Sequence, residues 1–272
     1  MLPTRERAGL TGRQPRQDEW RWQWARLQGE EGQTERLFWE WVWPLTPDDF
    51  RGKRVLDAGC GGGHMLGYLR DLVAEGVGVD LNTAALVRRR HRGCPHLRIY
   101  EGDLATWGEE GDFDVVYSIG VVHHTQAPQR SARNLMKLVK PGGKLVIWAY
   151  GHEGNFWARA LVERPKPLYR WLPRPVLMGA ARALAGLLHP VVHTVYRLPL
   201  PWLPYYDYFR NWRRLSFARN CTNVFDKLNA PTTHFVRRGD VDRWFAGMPF
   251  SHVEVSDWCR ISWRVCATRD AS

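Results

Sequence analysis

The stretch that most constrains the fold runs from Val55 to Gly63 and reads V-L-D-A-G-C-G-G-G. Apolar residues lead into an acid and then into a run of small residues, which is typical of a buried parallel strand that ends in a tight turn under a ligand. Glycine adopts positive φ freely and lets a ligand approach the backbone, so the stretch predicts a loop beneath a nucleotide-like molecule. We expect a helix to begin at about His64.

The spacing of the glycines separates two kinds of nucleotide loop. The dinucleotide fingerprint G-x-G-x-x-G needs a third glycine at position 64, where this chain has His64. The glycines fall instead at 59, 61 and 63, and Asp57 precedes them. The pattern D-x-G-x-G-x-G resembles the first motif of the class I S-adenosylmethionine-dependent methyltransferases, in which the loop passes under the methionine part of the cofactor.

Further strand-like segments follow in the order that this family shows. G-V-G-V-D ends at Asp80, L-R-I-Y-E-G-D ends at Asp103, F-D-V-V-Y-S-I-G begins at Phe113, and a fifth segment follows the Pro141-Gly142-Gly143 turn. Strands that alternate with helices predict a parallel sheet with ligands at the carboxyl ends of its strands.

The resemblance covers about residues 35–150 closely and the C-terminal hairpin more loosely. It implies an α/β fold with a Rossmann-like seven-stranded methyltransferase sheet, parallel with an antiparallel last strand, and with an N-terminal helical arm and a helical lid insert. Two alternating segments, His252–Trp258 and Ile261–Thr268, match the last two strands. We divide the chain into a leader and aromatic cap (1–50), a cofactor-binding core (51–150), a basic insert (151–220) and a C-terminal helix and hairpin (221–272).

The acids at the strand ends define the expected cofactor site. Asp80 ends the second strand, where a carboxylate can accept hydrogen bonds from both ribose hydroxyls. The resemblance implies that Asp57 orients the methionine ammonium group and that Asp103 and Leu104 hold the adenine. The complete predicted site for S-adenosyl-L-methionine is Asp57, Gly59, Cys60, Gly61, Asp80, Leu81, Asp103, Leu104, Ser118, Ile119 and Gly120.

Methyl transfer from a sulfonium is an in-line displacement, so the protein mainly aligns the reactants and excludes water. A base is needed only if the acceptor must lose a proton. The candidates are His124, His234, His123 and His152, because a histidine near its ordinary pKa suits that role. The alternative for the His123-His124 pair is a structural or cofactor-lining role, since H-H-T recurs in family members with different substrates.

The fourth strand ends S-I-G-V-V and carries no N-P-P-Y, which disfavours a nitrogen of adenine or glutamine as the acceptor. We therefore expect an oxygen or carbon atom of a small molecule, such as a saccharide, an isoprenoid or a polyketide-like intermediate. A protein that binds the cofactor without catalysis is the rival from another functional class.

The net charge of +11 indicates a basic patch. Residues 151–220 contain eleven Lys or Arg residues against three acids, and the resembled family inserts its substrate lid at this point. Such a lid suits an anionic substrate. RNA is a rival acceptor because counterion release favours it, but the segment resembles no RNA-binding module, so nucleic acid is disfavoured. We interpret a second basic cluster, Arg88-Arg89-Arg90-His91-Arg92, as a solvated helix face.

Within this insert, Val176–Leu188 is apolar nearly all round. Pro190 is expected to break any longer run, so no membrane-spanning helix is predicted. The flanking arginines and aromatic residues leave two interpretations open. The insert either contacts a membrane surface and receives a lipid-linked substrate, or it covers the substrate pocket or a dimer interface.

Two further expectations concern the N-terminal segment and the cellular environment. Trp20, Trp24 and Leu27 recur at helical intervals, which predicts either a cap over the cofactor or an arm that packs at the sheet edge. The N-terminus has no secretory signal, and the five cysteines are odd in number and lack a C-x-x-C pair. We therefore predict a reduced, cytoplasmic protein without a metal site, as a monomer or homodimer.

Overall fold

The computed structural model describes residues 18–26 and 31–271. Its centre is a sheet of seven strands: β1 (Arg54–Ala58), β2 (Glu75–Asp80), β3 (Leu97–Glu101), β4 (Phe113–Ile119), β5 (Val139–Tyr150), β6 (His252–Trp258) and β7 (Ser262–Thr268). Their order in the sheet is β3-β2-β1-β4-β5-β7-β6. Neighbours from β3 to β5 are parallel, whereas β7 runs antiparallel to β5 and to β6. The predicted Rossmann-like sheet is confirmed.

Helices join and flank these strands. They are α1 (Asp18–Arg26), α2 (Glu31–Val42), α3 (Pro47–Phe50), α4 (His64–Leu69), α5 (Ala84–Arg90), α6 (Pro128–Leu138), α7 (Phe156–Ala158), α8 (Lys166–Tyr169), α9 (Arg174–Thr194), α10 (Tyr206–Trp212), α11 (Phe217–Asn229) and α12 (Arg238–Phe245). Single turns of 3₁₀-helix occupy Val122–His124 and Val195–Arg197, and a π-helical turn spans Arg159–Glu163. As expected, α4 begins at His64.

The two central strands are buried on both faces. Val55 and Leu56 in β1, and Val116 and Tyr117 in β4, have no exposed surface. Strands covered on both sides by helices are rich in apolar residues along their whole length, as these are. Because β1, β2 and β4 are parallel, their carboxyl ends meet at one edge, and the glycine loop after β1 lies there.

The fifth strand begins earlier than the sequence predicts. The Pro141-Gly142-Gly143 segment lies inside β5 rather than before it. Its pairing with β4 jumps from Phe113–Val139 to Val115–Lys144, so the segment forms an irregularity within the strand. Gly142 has a φ of +73°, which lets the chain bulge there and resume pairing afterwards.

The N-terminal segment splits into two helices with different positions. Leu37, Phe38 and Val42 of α2 are buried in one cluster with Phe50 and Tyr117. This helix therefore packs on the sheet, and of the two alternatives for the segment it resembles the packing arm and not the cap. α1 lies instead at the edge where the parallel strands end, as described below.

The insert contains one long helix, and this corrects the sequence-based expectation. α9 continues from Arg174 to Thr194 with Pro190 inside it. Proline removes one backbone hydrogen bond but need not end a helix that tertiary contacts support. Here α9 packs along α11 through Leu177, Ala181 and Ala185, which are buried.

Candidate functional site

The loop after β1 has a backbone that only glycine fits easily. Gly59 and Gly61 have φ angles of +90° and +52°. A Cβ at Gly59 would lie 2.4 Å from Cγ2 of Val121, so a larger residue would force the loop and the β4 end apart. The amides of Gly59 and Cys60 both donate to the carbonyl of Val79, at 2.7 and 3.0 Å, which ties the loop to β2.

Asp57 lies at the base of this loop and is 1% exposed. Burial raises the pKa of its carboxyl to about 8, with the Asp80 carboxylate adding to the shift and Tyr117 opposing it. Its Oδ2 is buried and has no hydrogen-bond partner within residues 18–26 and 31–271. A buried carboxyl oxygen without a partner fits a further hydrogen-bond donor, and a cationic donor such as an ammonium would favour the ionised form of Asp57.

Asp80 joins the glycine loop to the end of β2. Its Oδ2 accepts from the Gly61 amide at 3.0 Å, and its Oδ1 accepts from the amides of Asn82 and Thr83 at 3.2 Å. These bonds fix the carboxylate at the strand end. A carboxylate has about four lone-pair positions, so one remains for a further donor such as a ribose hydroxyl. Leu81 follows it and is half-buried.

The end of β3 presents one polar and one apolar candidate. Asp103 is exposed, and its Oδ1 accepts from the Ala105 amide at 2.9 Å. Leu104 is buried against Trp107, and its carbonyl accepts from Nδ2 of Asn134 at 3.0 Å. The carboxylate of Asp103 is therefore available at the surface of the edge, whereas the Leu104 side chain belongs to the core.

The end of β4 forms the adjoining wall. Ser118 is fully buried, and its hydroxyl donates to the carbonyl of Ala58 at 2.8 Å. Ile119 is buried in the main apolar cluster. The amide of Gly120 donates to the Trp148 carbonyl at 3.0 Å, so this turn is held between β1 and β5.

Cys60 contributes packing rather than a reactive group. Its side chain is 6% exposed and lies in a cluster with Leu66 and Ile99. Burial raises the pKa of the thiol well above its ordinary value, as do the nearby Asp80 and Asp57 carboxylates. The thiol therefore stays protonated, and a protonated thiol is a poor nucleophile.

The basic cluster on α5 is not a wholly solvated face, contrary to the sequence-based interpretation. Nη1 of Arg90 donates to the Gly62 carbonyl at 2.6 Å, and Nε of Arg88 donates to the Ile99 carbonyl at 2.9 Å. Two of these arginines thus support the glycine loop and the end of β3. Long guanidinium side chains reach backbone carbonyls across a turn, which a helix-face pattern cannot reveal.

Helix α1 lies over the glycine loop. A Cβ at Gly61 would be 2.8 Å from Cε2 of Trp24, so the indole lies directly against the loop. The Trp20 ring is 5.1 Å from the His124 ring. Gln23 lies between these two tryptophans in the sequence of α1. Its Nε2 donates to Oδ1 of Asp226 at 2.6 Å, which anchors α1 to α11. α1 occupies the position expected of a cap, whereas α2 packs on the sheet.

His124 is the best-placed of the four candidate bases. Its Nδ1 is 2.7 Å from the Thr232 carbonyl, so this nitrogen carries the proton and Nε2 keeps its lone pair. Burial lowers the pKa of the imidazole to about 4, although the Asp226 carboxylate opposes the shift. His124 is therefore neutral at pH 7, and it is a weak base.

The other three histidines have different surroundings. His123 is fully buried, with its pKa held well below the ordinary value by burial, and neither ring nitrogen has a hydrogen-bond partner in the described ranges. His234 is exposed, and its amide donates to the His123 carbonyl at 2.8 Å. His152 meets Nη1 of Arg159 at 3.4 Å. The structure thus brings His123 and His124 together and leaves His152 apart.

A lysine that the sequence analysis did not identify lies beside these histidines. Nζ of Lys227, on α11, donates to the Tyr208 hydroxyl at 3.1 Å and lies 5.5 Å from the centre of the Tyr150 ring. Burial alone would lower its pKa, but the two tyrosines and Asp226 hold it above the ordinary value. Lys227 is therefore a cation at neutral pH. The Tyr150 ring is also 4.4 Å from the ring of His123.

Arg219 is a second cation on the same helix. Its Nε is buried and without a hydrogen-bond partner in the part of the chain that the structure describes. Burial lowers the pKa of the guanidinium and Asp226 opposes this, but an arginine remains charged in proteins. α11 thus brings Arg219, Asp226 and Lys227 towards the strand edge from residues far away in the sequence. No group of three or more His, Cys, Asp or Glu within the described ranges could hold a metal ion.

The residues present fit an S-adenosyl-L-methionine molecule. Val121 and Trp24 lie so close to Gly59 and Gly61 that only glycine fits in this loop, and Asp57 offers a buried oxygen without a partner in the described ranges. The Asp80 carboxylate adds a fixed acceptor at the next strand end.

Comparisons with known proteins agree with this geometry. A methyltransferase domain family matches residues 56–147. A tRNA U34 carboxymethyltransferase of Idiomarina loihiensis is 33% identical over 191 residues, which cover 66% of this chain and 58% of that protein. A ubiquinone biosynthesis O-methyltransferase of Cereibacter sphaeroides is 36% identical over 148 residues, covering 52% of this chain and 59% of that protein. The chain spans less than two thirds of the length of either relative.

Solved structures share the fold. The crystal structure of magnesium protoporphyrin IX methyltransferase from Synechocystis with bound SAH superposes with a TM-score of 0.52 at 14% identity. The match covers 93% of this chain and 94% of that one. At this level of identity the likeness concerns the arrangement of the sheet and helices, and the substrates have to be argued from the residues themselves.

Proposed function

We propose that the chain is a class I S-adenosylmethionine-dependent methyltransferase, with S-adenosyl-L-methionine as its cofactor, and that it methylates an oxygen or carbon atom of a small molecule. The observation that carries the proposal is the set of fixed acids and glycines at the edge where β1, β2 and β4 end. Asp57 and Asp80 lie on either side of a glycine loop that a side chain would block.

Each part of the edge has a separate role in this proposal. Asp57 orients the methionine ammonium group through its network, the glycine backbone at Gly59 and Gly61 passes under the ligand, and Asp80 holds the ribose. Asp103 with Leu104 takes the adenine, and Ser118, Ile119 and Gly120 line the methionine end. S-adenosyl-L-methionine supplies an activated methyl group on a sulfonium, so the chain has only to align the acceptor and exclude water.

The neighbouring side chains support an acceptor with hydroxyl or anionic groups. Lys227 offers a buried cation between two tyrosine rings, and His124 directs a neutral Nε2 away from its bond to Thr232. A buried cation favours an acceptor that is, or becomes, negatively charged as its proton leaves. We propose that Lys227 stabilises this charge and that His124 accepts the proton where the acceptor must lose one; His123, His234 and His152 are the remaining candidates.

The absence of N-P-P-Y after β4 supports oxygen or carbon over an amino nitrogen. A saccharide, an isoprenoid or a polyketide-like intermediate fits these requirements. A cytoplasmic location is part of the proposal, and it is supported by five cysteines that are all free thiols.

RNA is the second candidate substrate because of two observations. The insert has eleven basic residues against three acids, and one relative is a tRNA U34 carboxymethyltransferase. Binding to RNA would depend steeply on salt, because phosphate contacts release counterions.

The test is to incubate the protein with methyl-labelled S-adenosyl-L-methionine and a host lysate, and then to separate protein, RNA, lipid and small polar fractions. Label in the lipid or small polar fraction is the expected result. Label that ribonuclease releases would replace the small molecule with RNA. Cofactor binding by calorimetry without transfer to any fraction, across lysates from several growth stages, would contradict catalysis.

A further inference from the structure

Large apolar side chains that remain exposed are concentrated in one part of the molecule. They lie between Phe156 and Phe217, and Trp43 is the one exception among the residues that the structure describes. Soluble proteins seldom leave a large apolar patch uncovered unless it binds something. The insert therefore carries apolar surface that its own fold does not bury.

Helix α9 shows this most clearly. One face packs on α11, and the other forms an exposed apolar stripe of Val176, Ala180, Ala183, Leu184, Leu187 and Val191, which Val195 of the following 3₁₀ turn extends. Leu187 is 73% exposed and Val176 is 51% exposed. A surface helix normally turns polar residues outward. Here Thr194, at the last residue of the helix, is the one polar side chain of the described stripe, and its hydroxyl donates to the Pro190 carbonyl.

By length and composition, residues Arg174–Arg197 could also cross a membrane. A spanning orientation would separate Leu177, Ala181 and Ala185 from α11, against which they are buried. The helix can instead lie in the plane of a membrane surface and keep those contacts, with the apolar stripe turned toward the lipid.

The residues around the stripe match an anionic membrane surface. The insert also carries exposed arginines, namely Arg164, Arg170, Arg197, Arg210 and Arg214, whereas Arg182 lies on the other side of α9, near Cys221 of α11. Exposed tryptophans accompany them at Trp157, Trp171 and Trp202, with exposed fractions of 48%, 70% and 73%. Tryptophan favours the boundary between lipid and water, and arginine pairs with lipid phosphates, so both residue types suit this surface.

A cavity of about 430 Å³ opens at the carboxyl end of α9. Its basic lining is Arg197, Arg210, Arg213 and Arg214, with Glu40 and Asp207 as the acids. Nε of Arg213 is buried and has no hydrogen-bond partner in the described ranges, so it can donate to an anionic oxygen. Arg197 also lies between two exposed apolar residues, Val195 and Leu198, so the cavity and the stripe meet at this end of the helix.

We propose that the insert docks the protein on an anionic lipid bilayer, with the apolar stripe of α9 in the interface and the arginine cavity on a lipid phosphate. The insert carries an excess of positive charge, which is complementary to an anionic membrane and not to an apolar protein surface. The proposal is independent of methyl transfer, because binding to vesicles is measured without cofactor or acceptor.

The test is flotation with vesicles of phosphatidylcholine alone or mixed with phosphatidylglycerol, at low and high salt. We expect the wild-type protein to float with the anionic vesicles and to bind them at least tenfold better than the neutral ones. Leu187→Asp with Val191→Asp should abolish flotation. Arg170→Gln with Arg197→Gln should weaken binding about thirtyfold at low salt, from about 1 kcal/mol for each arginine.

The matched control is Gly93→Asp with Gln129→Asp, which adds the same two negative charges to exposed positions of the core. It should bind vesicles within about twofold of the wild-type protein. All variants should retain the wild-type affinity for S-adenosyl-L-methionine, which shows that they are folded.

Three outcomes would overturn the proposal. The first is a wild-type protein that does not float with anionic vesicles, and the second is a stripe variant that floats as well as the wild type. The third is a stable dimer in light scattering that the Leu187→Asp/Val191→Asp variant converts to a monomer without any loss of lipid binding, because a second copy would then cover the stripe. Loss of methyl transfer with intact flotation would instead contradict only the proposed activity.

Discussion

The core (51–150) and the insert (151–220) differ in the burial of their large apolar side chains. In the core, Leu56, Val116 and Leu145 are fully buried, and the polar groups gather where the strands end. In the insert, Leu187 and Trp202 are each 73% exposed. Apolar surface that is buried within the chain stabilises the fold. Apolar surface that remains exposed on this scale indicates a binding site for another molecule. The comparison therefore supports the two proposals, that the core binds the cofactor and that the insert docks the protein.

The largest effect should come from the backbone of the glycine loop. Gly59→Ala places a Cβ 2.4 Å from Val121 at a φ of +90°. A positive φ costs about 1–2 kcal/mol for a residue with a Cβ, and forcing extra volume against packed atoms costs about 1–3 kcal/mol. We expect affinity for S-adenosyl-L-methionine to fall about a hundredfold in calorimetry.

The control for that experiment is Gly108→Ala, whose added Cβ would meet nothing within 4 Å. It should bind the cofactor as the wild type does. Gly59→Ala should still float with anionic vesicles, because the insert is unaltered. Equal affinity of Gly59→Ala and the wild type would show that the ligand does not rest on this loop.

The second effect tests the acid at the end of β2. Asp80→Asn removes the charge that orders the Gly61 amide and that the ribose would meet. Hydrogen bonds to charged groups contribute about 1.5–3 kcal/mol, so affinity for the cofactor should fall at least tenfold in the same titration. Asp71→Asn is the control, because Asp71 is a strongly exposed carboxylate next to Arg70. Unchanged affinity in Asp80→Asn would remove Asp80 from the site.

The third effect should separate acceptor from cofactor. Lys227→Met keeps an unbranched side chain one atom shorter but removes the cation beside Tyr150 and Tyr208. We expect kcat to fall about tenfold, from a lost charge interaction of about 1.4 kcal/mol, with cofactor affinity unchanged. The exposed Lys137→Met is the control. An equal loss of cofactor affinity would place Lys227 in the cofactor site instead.

The last effect concerns the pH dependence of stability and not binding. The folded-state pKa of Asp57 is about 8, above the ordinary value of 3.8. Between these two values the folded state holds a proton that the unfolded state has lost, so the free energy of unfolding decreases as pH rises through this window. The slope should reach about 1.4 kcal/mol per pH unit and should largely disappear in Asp57→Asn.

Urea unfolding of the protein without cofactor at several pH values between 5 and 8 measures this slope. Asp71→Asn should keep it, since that carboxylate is strongly exposed. A wild-type slope that Asp57→Asn leaves intact would show that another group carries the proton.

The sequence predicted the sheet well because its signals are local. Asp57, the glycines after it and Asp80 sit within two strand-and-turn units, and each unit is readable from a few adjacent residues. Positive φ at Gly59 and Gly61 follows directly from that pattern. The roles of these residues toward the cofactor stay predictions.

The sequence did not reveal the groups that reach the edge from far away. Gln23 bonds to Asp226 across 203 positions, and Lys227 meets Tyr150 only because α11 folds back over β5. The continuation of α9 through Pro190 also depends on contacts with α11. Long-range packing decides such features, and no local pattern encodes it.

A crystal structure with S-adenosylhomocysteine tests the central claim most directly. The account predicts a ribose hydroxyl on the remaining acceptor position of the Asp80 carboxylate, the amino acid ammonium near Asp57, and the chain of the ligand across Gly59 and Gly61. Density for the ligand elsewhere, or a ligand whose ribose does not touch Asp80, would contradict it.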